Sequence, residues 1–220
     1  MTAAKTLLIA SQKGGAGKTT LCGLLSVEAA GRGARVLMLD LDPQQSLRGW
    51  WGRREADAPE MLPEDPAPSQ VPKVLDRARG MFDLVVIDTP PAAHGWIGRL
   101  ALAADLTLVP VQPSPHDIGA VGATVSDLGR AKWAFVISRS QARTTIAAEA
   151  RVILAQHGRV APVDVRQRVS HAESAGRGMT GAEWGDGSAA YEAGQLAEWC
   201  WRDVDAHWRH DVRSKRGTAL

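Results

Sequence analysis

A glycine-rich stretch near the start of the chain decides the fold, and it consists of Gln12-Lys13-Gly14-Gly15-Ala16-Gly17-Lys18-Thr19-Thr20. An apolar run predicts a strand just before it, and a helical pattern follows it. Glycines let backbone N–H groups converge on a phosphate, and the start of the helix adds its dipole. The spacing places Lys18 to reach the β and γ phosphates and the Thr19 hydroxyl to bind Mg²⁺. The stretch therefore predicts a nucleoside triphosphate site, although Gln12 replaces the glycine of the strict pattern.

Two acidic motifs further along the chain point to the same site. They are Leu39-Asp40-Leu41-Asp42-Pro43-Gln44 and Leu84-Val85-Val86-Ile87-Asp88-Thr89-Pro90-Pro91. Each places an aspartate at the carboxyl end of an apolar strand, the edge at which open α/β sheets bind ligands. We expect Asp88 to hold Mg²⁺ through a water molecule, Asp40 to support that metal site without touching the ion, and Asp42 to orient the attacking water. The alternative for Asp42 and Asp88 is an aspartate that only caps the following turn.

Short apolar strands alternate with longer helical patterns, which is typical of βαβ units around a parallel sheet. Because most strands are apolar throughout, helices should cover both faces of the sheet. We predict one doubly wound α/β domain over residues 1–220, with a mostly parallel sheet flanked by helices and a proline-rich surface insertion at 57–72. The predicted strands are Thr6–Ser11, Arg35–Asp40, Phe82–Asp88, Leu106–Val111, Trp133–Ser138 and Val163–Arg166; the predicted helices are Thr19–Gly31, Gln44–Glu55, Val71–Gly80, Ile97–Ala103, Ile118–Arg130, Thr145–His157 and Ala189–Val212.

Composition places the chain among ordinary globular proteins and shows where its charge lies. Of 220 residues, 45% are hydrophobic, and 26 Lys and Arg stand against 24 Asp and Glu. This balance excludes a disordered chain and argues against a generic polyanion binder. Residues 1–110 carry 12 basic and 12 acidic side chains, whereas residues 130–177 carry nine basic and three acidic ones. The basic excess is therefore local.

The cysteines and the lengths of the apolar runs indicate the cellular compartment in which the protein works. Cys22 and Cys200 fit neither a disulfide framework nor a zinc or iron–sulfur spacing, which favours a reducing environment. The apolar run at 7–10 is too short for a signal peptide, and no other run approaches the roughly 20 apolar residues of a membrane span. We expect a cytoplasmic protein.

These motifs together resemble the ParA/MinD group of deviant Walker A ATPases, and the small ParA type in particular. The resemblance runs from about residue 5 to about residue 200. It implies a P-loop NTPase fold, with ATP and Mg²⁺ as cofactors. Besides the stretches already quoted, it rests on Trp50, on Pro110-Val111-Gln112-Pro113-Ser114-Pro115-His116-Asp117, and on Val165-Arg166-Gln167-Arg168-Val169 leading into Ala172-Glu173-Ser174-Ala175-Gly176.

The resemblance also implies roles for individual residues. Residues 13–20 would bind the nucleotide, and Lys13, Lys18 and Asp42 would be catalytic. Lys13 would reach across an ATP-sandwich homodimer to the partner's ATP, and Asp42 would lie in switch I. Larger relatives have a DNA-reading domain before the loop, which we do not expect here. Relatives often carry Asn after the fifth strand, where this chain has Ile137-Ser138-Arg139, so adenine recognition rests on the family alone.

Small ParA-like ATPases bind DNA without sequence preference through basic residues in their C-terminal half, where residues 130–177 of this chain fall. We expect Arg166 and Arg168 to contact DNA, followed by Arg139, Arg143 and Arg177; the alternative is an ordinary solvated arginine face. By resemblance, the ATP-bound homodimer would associate with the nucleoid, and a ParB-like or cargo adaptor protein would stimulate hydrolysis. The cargo would be a plasmid, a chromosome locus or a protein assembly.

The C-terminal pattern leaves two interpretations open. Apolar residues recur every four positions in a predicted amphipathic helix, at Leu196, Cys200, Val204, Trp208 and Val212. This stripe would dock the helix on the domain or on a dimer partner, or it would bind a membrane, as in MinD-like regulators of cell division. Aspartates at 203, 205 and 211 disfavour an anionic membrane.

Metabolic relatives of the same superfamily are a further alternative. Nitrogenase-reductase and arsenite-pump chemistry are disfavoured, because both need cysteines that this chain lacks. A ligase of the dethiobiotin-forming type stays open.

Overall fold

Seven parallel strands form one central sheet in this computed structural model, which describes residues 4–91, 93, 95–142 and 144–206. The strands are β1 (Lys5–Ile9), β2 (Val36–Asp40), β3 (Glu60–Met61), β4 (Leu84–Asp88), β5 (Leu106–Val111), β6 (Trp133–Ser140) and β7 (Val165–Arg166). Their order in the sheet is β3-β2-β4-β1-β5-β6-β7.

Helices cover both faces of this sheet. They are α1 (Lys18–Gly31), α2 (Ser46–Trp51), α3 (Val71–Ala78), α4 (Ile97–Ala103), α5 (Pro115–Gly119), α6 (Val121–Leu128), α7 (Ile146–His157), α8 (Val169–Ala175) and α9 (Gly187–Asp203). Within β1, Leu7 and Ile9 pack with α1 and α9, whereas Leu8 packs with α3, α4 and α6 on the other face. The two-sided core explains the apolar strands, and the predicted doubly wound α/β fold is confirmed.

Parallel pairing brings the two acidic motifs together. β1 pairs with β4 so that Ile9 lies opposite Asp88, and β2 pairs with β4 so that Asp40 also lies opposite Asp88. β5 and β6 follow on the other side of β1, so their carboxyl ends reach the same edge. The glycine-rich loop after β1 therefore lies in the middle of a row of strand ends.

Several helices differ from the predicted ones. The predicted helix Gln44–Glu55 is shortened to α2, which begins after Gln45, a residue with φ of 51°, and ends before Gly52. The predicted helix Ile118–Arg130 is divided into α5 and α6, and α6 ends where Gly129 has φ of 55°. Helix α8 has no counterpart in the sequence prediction.

The C-terminal helix also ends earlier than predicted, at Asp203 rather than Val212. The Asp203 carbonyl accepts a hydrogen bond from Lys132 Nζ at 2.6 Å, and the chain turns at Asp205, which has φ of 53°. The Asp203 carboxylate pairs with Arg159 and Lys132. These contacts fix the end of α9 to Lys132, just before β6, and to Arg159, just after α7.

The apolar stripe of α9 is buried against the domain. Leu196 and Cys200 are fully buried, Val204 is nearly so, and all three belong to the core cluster that includes α1. Docking on the domain is therefore confirmed for these residues, while Trp208 and Val212 lie outside the described part of the chain. Cys22 is fully buried in the same cluster, and burial raises the pKa of both thiols. Among the described helices, none combines the length and apolar character that crossing a bilayer demands.

The proline-rich stretch at 57–72 is more than an extended connection. It contains the edge strand β3, which pairs with β2 through Leu37–Glu60 and Met38–Met61. Met61 is buried in the core, and Trp51 Nε1 donates to the Pro59 carbonyl at 2.8 Å. The stretch therefore adds a strand that the sequence pattern did not indicate.

Gly178 marks a close approach between the α2 end and the α8–α9 connection. A Cβ atom on Gly178 would lie 2.5 Å from Arg54 N, and its φ is +65°; Gly185 has φ of +92° and open space around it. We expect Gly185→Ala to cost about 1 kcal/mol of unfolding free energy through φ alone, and Gly178→Ala to cost about 3 kcal/mol, because backbone must also move. Urea unfolding measures both, and equal losses in the two variants would contradict the close approach.

Candidate active site

The glycine-rich loop joins β1 to α1 in the geometry that the sequence predicts. Gly15 and Gly17 have φ of +75° and +94°, a left-handed conformation that favours glycine, and α1 begins directly after Gly17. The Lys18 side chain turns back over the loop, and its Nζ donates to the Lys13 carbonyl at 3.2 Å. Burial lowers the pKa of Lys18, while Asp88 and Asp42 act in the opposite direction.

Thr19 and Asp88 meet at the start of α1. The Thr19 hydroxyl donates to Asp88 Oδ2 at 2.6 Å. Burial raises the pKa of Asp88 to about 7, with the Thr19 hydrogen bond opposing it and Asp40 adding to it. The second oxygen of Asp88, Oδ1, is buried and has no hydrogen-bond partner among the described residues. An unsatisfied carboxylate oxygen beside a hydroxyl is a donor set that suits a hard cation such as Mg²⁺.

Asp40 and Asp42 shape the turn between β2 and α2. The two oxygens of Asp40 accept from the backbone N–H groups of Asp42 and Arg48, each at 3.0 Å. Burial raises the pKa of Asp40, and these hydrogen bonds oppose it. Asp42 Oδ1 accepts a hydrogen bond from Gln44 N at 3.0 Å, so Asp42 does cap its turn. Asp42 also borders a cavity beside the glycine-rich loop. Asp40 thus fixes the backbone position of Asp42.

Most of the predicted site residues line one large cavity, the main cavity. Its volume is about 610 Å³, and it lies between the glycine-rich loop, the β2–α2 turn and the β7–α8 segment. The predicted residues that line it are Gly14, Gly15, Gly17, Lys18, Thr19, Thr20, Asp42, Arg139, Arg166 and Arg168. This space is large enough for a nucleotide at the loop.

Lys13 is exposed on the outer side of the loop. Its backbone N–H donates to Ser11 Oγ at 3.3 Å. Across the described part of the chain, its ammonium makes no hydrogen bond or ion pair with the protein. The Lys13 side chain therefore contributes little to the stability of its own subunit.

The four described arginines among those predicted to bind DNA have different surroundings. Arg168 is held by Glu192 and lies 3.7 Å from Asp186, and only 19% of its side chain is exposed. Arg166 is half-exposed and lies 3.6 Å from Glu192. Arg139, Arg166 and Arg168 border the main cavity, Arg177 covers the Trp184 ring at 4.9 Å, and Arg143 lies outside the described residues.

Three polar side chains near the loop were absent from the predicted site. Gln112 Nε2 donates to the Gly15 carbonyl at 2.9 Å, and Ser138 Oγ donates to the Ala16 carbonyl at 2.6 Å. Gln12 Nε2 donates to Asp127 Oδ2 at 3.0 Å, a contact that glycine could not make. Gln112 and Ser138 lie where β5 and β6 end, and polar residues at such strand ends are the signal that could have found them.

Comparison with known proteins agrees with this geometry. A family model described as CbiA, the CobQ/CobB/MinD/ParA nucleotide binding domain, matches residues 7–180. Maintenance of carboxysome distribution protein A from Halothiobacillus neapolitanus is 33% identical over 206 residues, which cover 87% of this chain and 94% of that protein. Protein ParA from Rhizobium radiobacter is 33% identical over 111 residues, half of each chain.

Solved structures agree on the fold. The Cyanothece McdA complex with ATP superposes with a TM-score of 0.71 at 20% identity and covers 93% of this chain and 98% of that one. The Pyrococcus furiosus cell division ATPase MinD superposes with a TM-score of 0.74 at 20% identity and covers 90% and 99%. The predicted resemblance is confirmed: the chain belongs to the CobQ/CobB/MinD/ParA nucleotide-binding family and is a ParA/MinD-type ATPase.

Proposed function

We propose that the chain is a Mg²⁺-dependent ATPase that hydrolyses ATP to ADP and phosphate as an ATP-bound homodimer, binds DNA without sequence preference and positions a cargo. The observation that carries this proposal is the convergence of Lys18, Thr19 and Asp42 on one cavity beside the glycine-rich loop, with the buried Asp88 bonded to the Thr19 hydroxyl. These are the groups that phosphoryl transfer to water needs: a phosphate cradle, a cation, a site for Mg²⁺ and a carboxylate for the water.

Each of these residues has a definite task in this proposal. The loop N–H groups and the first turn of α1 bind the phosphates, and Lys18 neutralises charge on them. Thr19 and Asp88 hold Mg²⁺, which neutralises charge on the phosphate oxygens when it is bound. Asp42 accepts a hydrogen bond from the attacking water and orients it. Asp40 keeps Asp42 in place through its hydrogen bond to the Asp42 N–H.

The exposure of Lys13 supports a homodimer. A lysine whose ammonium has no partner among the described residues is free to reach a second nucleotide, where its charge would stabilise the transferring phosphoryl group. Sedimentation of the purified protein with ATP, with ADP and without nucleotide tests this step. We expect a dimer with ATP only, and a monomer under all three conditions would contradict the proposal.

DNA binding in this proposal depends on Arg166 rather than on Arg168. Arg166 leaves half of its side chain in solvent, whereas Arg168 is occupied by Glu192 and Asp186. We expect Arg166→Ala to weaken ATP-dependent retention on plasmid DNA several-fold. The salt slope, which is the slope of log binding constant against log salt concentration, should decrease in magnitude by about one for each DNA phosphate that Arg166 neutralises. Arg99→Ala, an exposed arginine on α4 outside the basic segment, is the matched control.

Because Arg166 borders the main cavity, ATP affinity must be measured in the same variant. Weaker DNA retention at saturating ATP supports a direct DNA contact. Unchanged retention and an unchanged salt slope would remove Arg166 from the DNA surface.

The relatives suggest the kind of cargo. The match to the carboxysome distribution protein extends over nearly both whole chains, whereas the match to ParA covers half of each. We therefore favour a protein assembly as the cargo, carried on the nucleoid, with an adaptor protein that stimulates hydrolysis. The adaptor is sought among proteins encoded beside this one, and its addition with DNA should raise ATP turnover. Turnover insensitive to DNA and to every candidate adaptor would favour a metabolic relative instead.

A MinD-like membrane role finds less support. The part of the apolar stripe that the structure describes is buried in the core cluster that includes α1, so its side chains are not available to lipid. Co-sedimentation of the full chain with anionic liposomes, with ATP present, tests this alternative, and we expect the protein to stay in the supernatant.

A further inference from the structure

A strained residue on β6 lies against the phosphate loop. Arg139 has φ of 53°, which is rare for a residue with a side chain, and it lies at the register shift between Ser138 and Ser140 where β6 pairs with β7. A register shift of this kind is a β-bulge, which redirects a side chain, and β-bulges are common next to active sites. Here the redirected side chain is the Arg139 guanidinium, whose NH1 donates to the Gly15 carbonyl at 3.0 Å.

The same carbonyl receives a second donor. Gln112 Nε2 reaches Gly15 O at 2.9 Å from the end of β5, and Ser138 Oγ reaches the neighbouring Ala16 O at 2.6 Å. Two consecutive peptide units of the loop are therefore held by side chains from β6 and from the end of β5, the two strands that follow one another on one side of β1. In a trans peptide the C=O and N–H groups point in opposite directions, so these donors direct the N–H groups of Ala16 and Gly17 away from themselves.

Charge adds to this geometry. Among the described residues, Arg139 has no carboxylate partner, and it borders the main cavity. A cationic donor on a carbonyl also polarises the peptide and strengthens its N–H as a donor. Arg139 therefore acts on the loop both through one hydrogen bond and through an uncompensated positive charge.

We propose that Arg139 is a positioning residue of the nucleotide site: the β6 bulge places its guanidinium on Gly15 O, and together with Gln112 it holds the loop ready for a polyphosphate. This inference rests on the proposed function, and it assigns Arg139 to the nucleotide rather than to DNA. The strained backbone at Arg139 is then the cost of bringing a cation to the loop.

Arg139→Gly tests the proposal, because glycine adopts a φ of 53° without strain. We expect the variant to be at least as stable as the wild type in a thermal melt without nucleotide. Its affinity for ATP and ADP, measured with a fluorescent analogue, should fall about tenfold because a charged hydrogen bond to the loop is removed. KM should rise by a similar factor while kcat at saturating ATP changes little.

Three further variants complete the design. Gln112→Ala should lower nucleotide affinity less than Arg139→Gly, since it removes a neutral donor. Arg139→Lys keeps a cation within reach and should restore part of the affinity. Arg130→Ala, which removes an exposed arginine from the same basic range 130–177, should bind nucleotide like the wild type.

The outcomes separate this inference from the proposed function. A wild-type protein that fails to bind ATP overturns the proposed function and this inference with it. A wild-type protein that binds ATP and an Arg139→Gly variant with the same affinity overturn only this inference. The same holds if Arg139→Gly binds ATP normally and loses DNA retention at saturating ATP, because Arg139 is then a DNA-binding residue.

Discussion

Replacing Lys13 with alanine should abolish ATP-driven dimerisation and lower ATP turnover by about a hundredfold or more, while the fold stays intact. The large effect follows from the loss of a cation at the transferring phosphoryl group, where a charge supplied by a second subunit has its greatest effect. The intact fold follows because the Lys13 side chain is exposed and bonds to none of the described residues. Sedimentation with ATP, steady-state turnover and a thermal melt measure the three quantities.

Lys73→Ala is the matched control for this experiment. Lys73 is an exposed lysine on α3, away from the loop, and its loss should leave dimerisation and turnover unchanged. Wild-type turnover in Lys13→Ala would refute the assignment of Lys13 to the partner's nucleotide. A lower melting temperature would show that Lys13 supports its own chain.

The second large effect is expected for Asp88→Asn, which keeps the shape of the side chain and removes its charge. Turnover should fall by about a hundredfold or more, because a neutral amide holds a hydrated Mg²⁺ much less strongly than a carboxylate does. The Thr19 hydroxyl can still donate to the amide oxygen, so the start of α1 should keep its structure. ATP binding with and without Mg²⁺ measures the metal's contribution, which the variant should lose.

Asp76→Asn, which changes an exposed carboxylate on α3, is the control, and it should keep full activity. Magnesium-dependent turnover at the wild-type rate in Asp88→Asn would rule out the Thr19–Asp88 pair as the metal site.

Stability offers a readout for Asp88 that does not involve nucleotide. Burial raises the pKa of Asp88 to about 7 in the folded protein, above the value of about 4 in an unfolded chain. The folded state then binds the extra proton between these values, so this group's contribution to stability is lost as pH rises through about 7. Without nucleotide and Mg²⁺, the unfolding free energy of the wild type should therefore fall relative to Asp88→Asn over this range.

The core of the site could be predicted from sequence because its signals are local. The loop spacing predicts Lys18 and Thr19 as candidate site residues, and an aspartate at the end of an apolar strand predicts Asp40 and Asp88. A parallel sheet then gathers the strand ends at one edge without further information. The Asp40–Asp88 register and the Thr19–Asp88 hydrogen bond are the outcome.

What could not be predicted depends on contacts between distant parts of the chain. Gln112 and Arg139 reach Gly15 across 97 and 124 residues, and no local pattern encodes such pairings. Arg168 counts as a free charge in a sum over residues 130–177, but Glu192 and Asp186 lie outside that window and neutralise it. Charge density in sequence therefore overstates the charge that the surface offers to DNA.

The burial of both cysteines has a practical consequence for testing these proposals. Cys22 and Cys200 are the chain's two thiols, and both are fully enclosed by the core. A thiol-directed reagent should modify the folded wild type only as fast as the core opens. A single cysteine introduced at an exposed position such as Tyr191 on α9 should react at once and alone. With that one introduced cysteine, each subunit can carry one fluorophore without removal of the native thiols, so that energy transfer between two labelled subunits can follow assembly in real time.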